Sequence, residues 1–308
     1  MFIVTYRKYF YIFSGALIIL SLALLLVWGL KFGIDFNGGS LLEVEYIGAY
    51  PETTQVSQAL LAAGIEGSSV RSTGEKGYLI RTPFLSPEQY SSVREALTLK
   101  EANPYEEKRY DSIGPTIGSE LQSKSIWAVL LVLLTITLFI AFAFRKVSKP
   151  VSSWKYGLVA LVALAHDVII PVGAFVLLGQ FFGAEVDTLF VTAILVVLGF
   201  SVHDTIVVFD RVRENLRINI EKNLKEPFEE TVGKSITQTL ARSINTSLTT
   251  VLALIALYVF GPDISHNFVL ALIIGIIAGT YSSIFLGSPL LITLEKMRKP
   301  EVEIKKKK

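Results

Sequence analysis

Cysteine is absent from the 308 residues, which excludes disulfides, thiol catalysis and cysteine-ligated metals. Histidine occurs only three times, at His166, His203 and His266, too few and too scattered for a zinc site. Charge is scarce too: Asp, Glu, Lys and Arg make up 18% of the chain, where soluble domains carry about 25%. No Gly-X4-Gly-Lys-Ser/Thr run occurs, so a phosphate loop of that type is excluded. What is abundant is apolar surface. Hydrophobic residues reach 51% and the mean hydropathy is +0.52.

That surface is gathered into runs. A bilayer span takes about 20 apolar residues, and six segments qualify: 10–30, 125–144, 156–178, 187–209, 244–260 and 267–293. The first follows Arg7 and Lys8, is too long for a signal-peptide core and lacks an Ala-X-Ala-like cleavage site, so it reads as a retained helix. The net charge of +2 says little, but its distribution says more. Arg145, Lys146, Lys149 and Lys155 fill the connection between the second and third runs, and the tail ends in four lysines. The loops at 179–186 and 261–266 hold no lysine or arginine. By the positive-inside rule both termini lie in the cytoplasm and residues 31–124 lie outside. The expected organisation is a first span (1–30), an external domain (31–124), a five-helix membrane region (125–293) with a cytoplasmic segment at 210–242, and a basic tail (294–308).

A structureless external segment of that length is improbable. Leu41 to Ile47 reads as a strand, Thr53 to Ala63 as a helix ended by Gly64, and Ser68 to Ser72 and Gly77 to Thr82 as two short strands. Ser86, with Pro87 and Gln89 behind it, opens a second helix through a capping box. Tyr105 to Ile113 supplies a last strand. The order β-α-β-β-α-β is that of a ferredoxin-like α+β unit. The fold expected is a polytopic membrane protein of six helices with this domain between the first two. The bracketing segments, Gly33-Ile-Asp-Phe-Asn-Gly-Gly39 and Ser112-Ile-Gly-Pro-Thr-Ile-Gly118, read as turn punctuation, with Gly33, Gly38, Gly39, Gly114 and Gly118 as candidate hinges.

Ionisable groups inside apolar runs are the functional lead, because a buried carboxylate costs about 2.5–3.5 kcal/mol on insertion scales. Asp167 lies near the middle of the third run, Asp204 five residues before Phe209 in the fourth, and Arg242 just ahead of the fifth. The fourth and fifth runs are antiparallel, so an Asp204–Arg242 pair is a plausible geometry. Two readings compete. In one, Asp204, Arg242 and the hydroxyls of Ser201, Thr205 and Thr246 simply tie helices together, with Ser243 and Asn245 nearby. In the other, Asp204 is a protonation switch biased by Arg242, and Asp167 takes part or bonds helices. His203 and His166 read as packed or interfacial. The 210–242 segment carries seven basic and six acidic residues; an amphipathic helix on the membrane surface is expected, and a nucleic-acid patch is not. Pro171 is expected to kink the third span, and Gly275 and Gly279 to allow close packing in the sixth.

These residues carry a resemblance. Gly33–Gly39 resembles the external boundary motif of the SecD/SecF family of protein-export membrane proteins. Ala165-His-Asp-Val-Ile169, the run from Gly199 to Asn215, and Thr239-Leu-Ala-Arg-Ser-Ile-Asn-Thr-Ser-Leu-Thr-Thr250 resemble the SecF signatures of that family, in the right order. The resemblance implies an accessory subunit of the Sec machinery in the cell (inner or cytoplasmic) membrane, not an enzyme, needing no cofactor. It implies SecD as a separate subunit, the Sec channel, unfolded exported polypeptides and membrane lipids as partners. It implies that proton flow drives movement of the external domains and promotes late protein translocation. The family's proton-path aspartate falls on Asp204, its functional arginine on Arg242 and its third-span aspartate on Asp167, with His203, Thr205, Asn245 and Thr246 as polar support. One departure is His203, where the family often has Asn.

Rival classes are a scaffold that moves no protons, an intramembrane aspartyl protease and a small-molecule exporter. The protease reading lacks the Gly-X-Gly-Asp signature and places Asp167 and Asp204 at different depths. The exporter reading has one compact external domain and no evident vestibule.

Overall fold

The computed structural model describes residues 2–99, 103–145, 151–224, 226–262 and 265–297. Lys146, Lys149 and the tail lysines lie outside them. A short helix α1 (Phe2–Thr5) leads into α2 (Arg7–Trp28), and a single turn α3 (Ile34–Asn37) follows. The sheet domain runs β1 (Gly39–Tyr46), α4 (Thr53–Ala62), β2 (Ser69–Thr73), β3 (Gly77–Thr82), α5 (Pro87–Leu97) and β4 (Tyr105–Ile113). Long helices complete the chain: α6 (Pro115–Ala143), α7 (Ser153–Phe182), α8 (Thr188–Glu221), α9 (Phe228–Phe260) and α10 (His266–Tyr281). A π-helical turn (Ser282–Gly287) then joins α10 to α11 (Ser288–Lys296). Six of these helical segments are long and apolar enough to cross a membrane. α7, α8 and the α10–α11 rod are the more buried, while α2, α6 and α9 lie at the periphery.

The strand order is β2-β3-β1-β4, antiparallel throughout, as the ferredoxin-like order requires. Alternation along β1 sends Leu42, Val44 and Tyr46 to one face, where Val56 and Leu60 of α4 and Val93 and Leu97 of α5 cover them. The capping box at Ser86 forms, with Gln89 N–H donating to Ser86 Oγ at 3.3 Å and Ser86 N–H to Gln89 Oε1 at 3.0 Å. A second one, Glu52 with Gln55, opens α4.

The other sheet face turns toward the α7–α8 loop. Arg81 ion-pairs with Glu185, and Arg71 Nη1 donates to the Gly183 carbonyl at 2.8 Å. Residues 31–33 lie beside the same loop: Gly33 N–H donates to Val186 O at 2.9 Å and Val186 N–H to Lys31 O at 2.8 Å. Asp35 receives the Thr188 N–H at 2.9 Å and the Thr188 hydroxyl, so it holds the start of α8. An acceptor there meets the positive end of the helix dipole. The Gly33–Gly39 segment is therefore more than punctuation. A Cβ on Gly38 (φ +74°) would stand 2.8 Å from Pro115, and one on Gly39 (φ +140°) 2.8 Å from Thr82 O. A Cβ on Gly118 would meet Phe36 O at 2.8 Å, whereas Gly114 has open space around it. Glycine lets this junction close tightly.

One expectation changes. Residues 210–242 form no separate surface helix: α8 runs on to Glu221 and α9 starts at Phe228, so the segment is a hairpin of extended spans. Asn215 Nδ2 donates to Ser235 Oγ at 2.8 Å and Asn219 Nδ2 to Thr231 Oγ1 at 2.9 Å across it. Pro171 is buried within α7. Gly275 and Gly279 behave as expected, with Val197 and Ser201 of α8 pressed against them.

Candidate functional site

Asp204 sits at the middle of α8 and is 3% exposed. The apolar periodicity of α8 puts it on the same inward face as Val197, Ser201 and Val208. Its Oδ2 is 3.5 Å from the hydroxyl of Ser247, which donates in turn to the Ser243 carbonyl one turn back on α9 at 2.9 Å. Thr280 of α10 donates to Ser247 Oγ at 2.6 Å. A hydroxyl pair, Ser247 backed by Thr280, thus faces the carboxylate, and no ion pair reaches it among the described residues. A carboxylate buried without a cation is costly to hold as an isolated charge.

Asp167, on α7, has no exposed surface at all. Its Oδ2 accepts from Ser201 Oγ of α8 and from Ser282 Oγ at 2.9 Å, the first residue of the π-helical turn. Its Oδ1 lies 2.9 Å from Nδ1 of the adjoining His166. The next hydroxyl, Ser283, is 2.9 Å from Thr205 Oγ1. Thr280, Ser282 and Ser283 therefore lie between the two aspartates: the first reaches toward Asp204, the second binds Asp167, and the third meets the residue after Asp204.

The remaining sequence candidates separate from this centre. Arg242 makes no pair with Asp204; it is exposed and lines a cleft of about 420 Å³ with Asp210, Arg211, Glu214, Gln238 and Thr239. The reason is helical phase. Ser243 and Ser247 occupy the α9 face turned toward α8, and the neighbour of Ser243 points about 100° away. Asn245 and Thr246 are exposed for the same reason, and Thr246 Oγ1 bonds its own helix at Arg242 O, 2.9 Å away. His203 is exposed beside the buried Asp204, whereas His166 is buried and bonded. Ser201 serves Asp167, not Asp204. Ser247, Thr280, Ser282 and Ser283 are the residues sequence reasoning missed. Their signal was hydroxyls at helical spacing, Ser243/Ser247 and Thr280/Ser283, inside otherwise apolar runs.

No group of His, Cys, Asp and Glu with metal-binding geometry occurs among the described residues. A second cleft, about 620 Å³, lies between the open sheet face and the α7–α8 loop, lined by Arg71, Arg81, Arg109, Asp35, Glu185 and Asp187 among others.

The family model "Protein export membrane protein SecD/SecF, C-terminal" matches residues 93–297. A protein translocase subunit SecF of Thermobaculum terrenum is 44% identical over 306 residues, covering 95% of this chain and 93% of that protein. The SecF of Pseudomonas aeruginosa is 38% identical over 269 residues, covering 86% and 82%. The crystal structure of SecDF from Thermus thermophilus, described as a translocon-associated membrane protein, superposes with a TM-score of 0.80 at 31% identity. It covers 96% of this chain, which spans 38% of the longer SecDF chain.

Proposed function

The chain belongs to the SecD/SecF family of protein-export membrane proteins, and from that premise we propose that it is an accessory subunit of the Sec translocase that uses the proton-motive force to promote late translocation. The observation that carries the reading is Asp204: a buried carboxylate at the centre of α8, facing the Ser247 hydroxyl and without an ion pair among the described residues. Its proton arrives from the side of the sheet domain and leaves toward the opposite end, where both termini sit in the cytoplasm. Protonation removes the charge, the α8–α9–α10 contacts repack, and α8 passes the change to the sheet domain through Thr188 and Asp35. One charge crossing 100 mV yields about 2.3 kcal/mol, enough to bias two packings. Arg242 acts from the cleft one turn away, favouring the deprotonated state as the proton leaves.

The proposed assembly includes SecD; the solved relative is a SecDF chain, of which this one spans 38%. The proposed partners also include the Sec channel, an emerging polypeptide and lipid.

The test is export by vesicles holding the Sec channel, SecD and this chain, with and without an imposed proton gradient. Export by the native protein should accelerate with the gradient, and Asp204→Asn, which keeps shape and hydrogen-bonding capacity, should lose that acceleration. If the mutant, still assembled, responds like the native protein, Asp204 is a structural tie and the scaffold reading stands instead.

A further inference from the structure

The hydrogen bonds around Asp167 are asymmetric. Oδ2 takes two hydroxyls, Ser201 and Ser282, while Oδ1 faces only Nδ1 of His166. A carboxylate so arranged draws the imidazole N–H onto Nδ1, which leaves Nε2 as a bare lone pair. Nε2 is buried and has no hydrogen-bond partner among the described residues. A buried polar atom without a partner is uncommon and asks for an explanation. Tyr281 is the titratable group against the ring, its ring centre 6.0 Å away, and its hydroxyl is engaged with Phe10 O and Ser14. From α8 the facing group is Ser201, with Asp204 one turn further on; from the π-helical turn it is Ser282. No lysine or arginine pairs with the couple among the described residues.

We propose that His166 and Asp167 together form a second proton-binding site, with Nε2 as the accepting atom and the Ser282–Gly287 turn as the element that senses its occupancy. The inference rests on the proton-driven reading of this protein. Uptake forms one N–H bond at Nε2 and breaks only the bond to the water that delivered the proton. The product is an imidazolium donating from Nδ1 to the carboxylate, a pair with no net charge in place of a buried unit negative charge. With the charge balanced locally, Asp167 needs the Ser282 hydroxyl less. Ser282 is where the sixth span departs from α-helical bonding, and π-turns frequently mark functional sites. Two residues earlier, Thr280 of α10 donates to Ser247, which reaches Asp204, so occupancy at His166 is transmitted to the first site through one short stretch of helix.

The three histidines make the test direct. The chain, complexed with SecD in lipid, is labelled with ¹⁵N-histidine, and His166→Asn assigns the His166 resonances by subtraction while keeping a donor near Nδ1. Spectra are taken from about pH 8 to pH 5, and the expected result is a second ring proton on His166 in the acidic samples. The charged fraction should drop at least tenfold in Asp167→Asn. A ring that stays neutral across that range, or charges equally without Asp167, overturns the proposal. The native gradient response of the export assay is a separate readout: its absence would sink the proton-driven reading, and a charging His166 would still be seen or not. With that response intact, a His166→Asn protein that keeps the full gradient acceleration overturns the coupling role.

Discussion

Two hydroxyls hold Oδ2 of Asp167, and each can be removed by a serine-to-alanine change that deletes a single oxygen. Ser201→Ala leaves the buried carboxylate short of one donor, which costs about 1–3 kcal/mol. Thermal unfolding of the isolated chain in detergent should register that loss. Thr246→Val should change the same measurement by less than about 0.5 kcal/mol, since Thr246 bonds only its own helix backbone from an exposed position. From the sequence Thr246 and Ser201 were equal candidates for Asp204. The positions of Asp167, Asp204 and Arg242 are legible because charge in an apolar run stands out. Which hydroxyl serves which carboxylate depends on the rotation of each helix, and a few tens of degrees decides it. A helix placed by packing on two neighbours has a phase that its own sequence only partly records, which is why the Asp204–Arg242 pair did not materialise.

Helices α8 and α10 meet where Gly275 faces Val197 and Gly279 faces Ser201. A Cβ on Gly275 would come within 2.4 Å of Val197, so Gly275→Leu should force the helices apart and cost about 1–3 kcal/mol or more. Gly199, on the same α8, has nothing within 4 Å of its would-be Cβ. Gly199→Ala should stabilise by about 0.4–1 kcal/mol through the unfolded chain, and unfolding of the two variants side by side checks both signs. The elements of the sheet domain were readable one by one, because strand alternation and capping boxes are local. The hairpin at 210–242 was not. Its charges nearly cancel and suggest a wet surface, but Asn215, Asn219, Thr231 and Ser235 pair across the gap. Polar residues that find each other extend a span; polar residues that find water end it, and composition alone does not separate the two cases.

The sheet domain and the membrane helices share one junction, and it is rich in ionisable groups. Arg81 is held down to about 10, first by burial and then by the neighbouring Arg71. Asp187, the residue that caps α8 through the Phe190 N–H, is pushed up by burial, with the Asp35 charge adding to it. A carboxyl raised on folding favours the folded junction below its unfolded value of 3.8, and that contribution is lost as pH rises through the higher folded value. Acidification from neutral pH toward that value should therefore tighten the junction. Hydrogen exchange of residues 183–188 should slow on acidification beyond its intrinsic pH dependence, and Asp187→Asn should remove that extra term. Nothing in the Gly33–Gly39 run revealed that Asp35 would meet the start of α8, because the two are 153 residues apart. Seen as a single body, α8 begins at that junction, bears Asp204 at its midpoint and ends among the asparagines of the hairpin. Thirty-four residues make a rod of about 51 Å, much longer than the hydrocarbon it crosses. On the proposed mechanism such a rod works as a seesaw with its pivot at the buried acid. A tilt of about 10° there carries each tip about 4 Å, in opposite directions, so a stroke delivered to the sheet domain has an equal counterstroke at the far end.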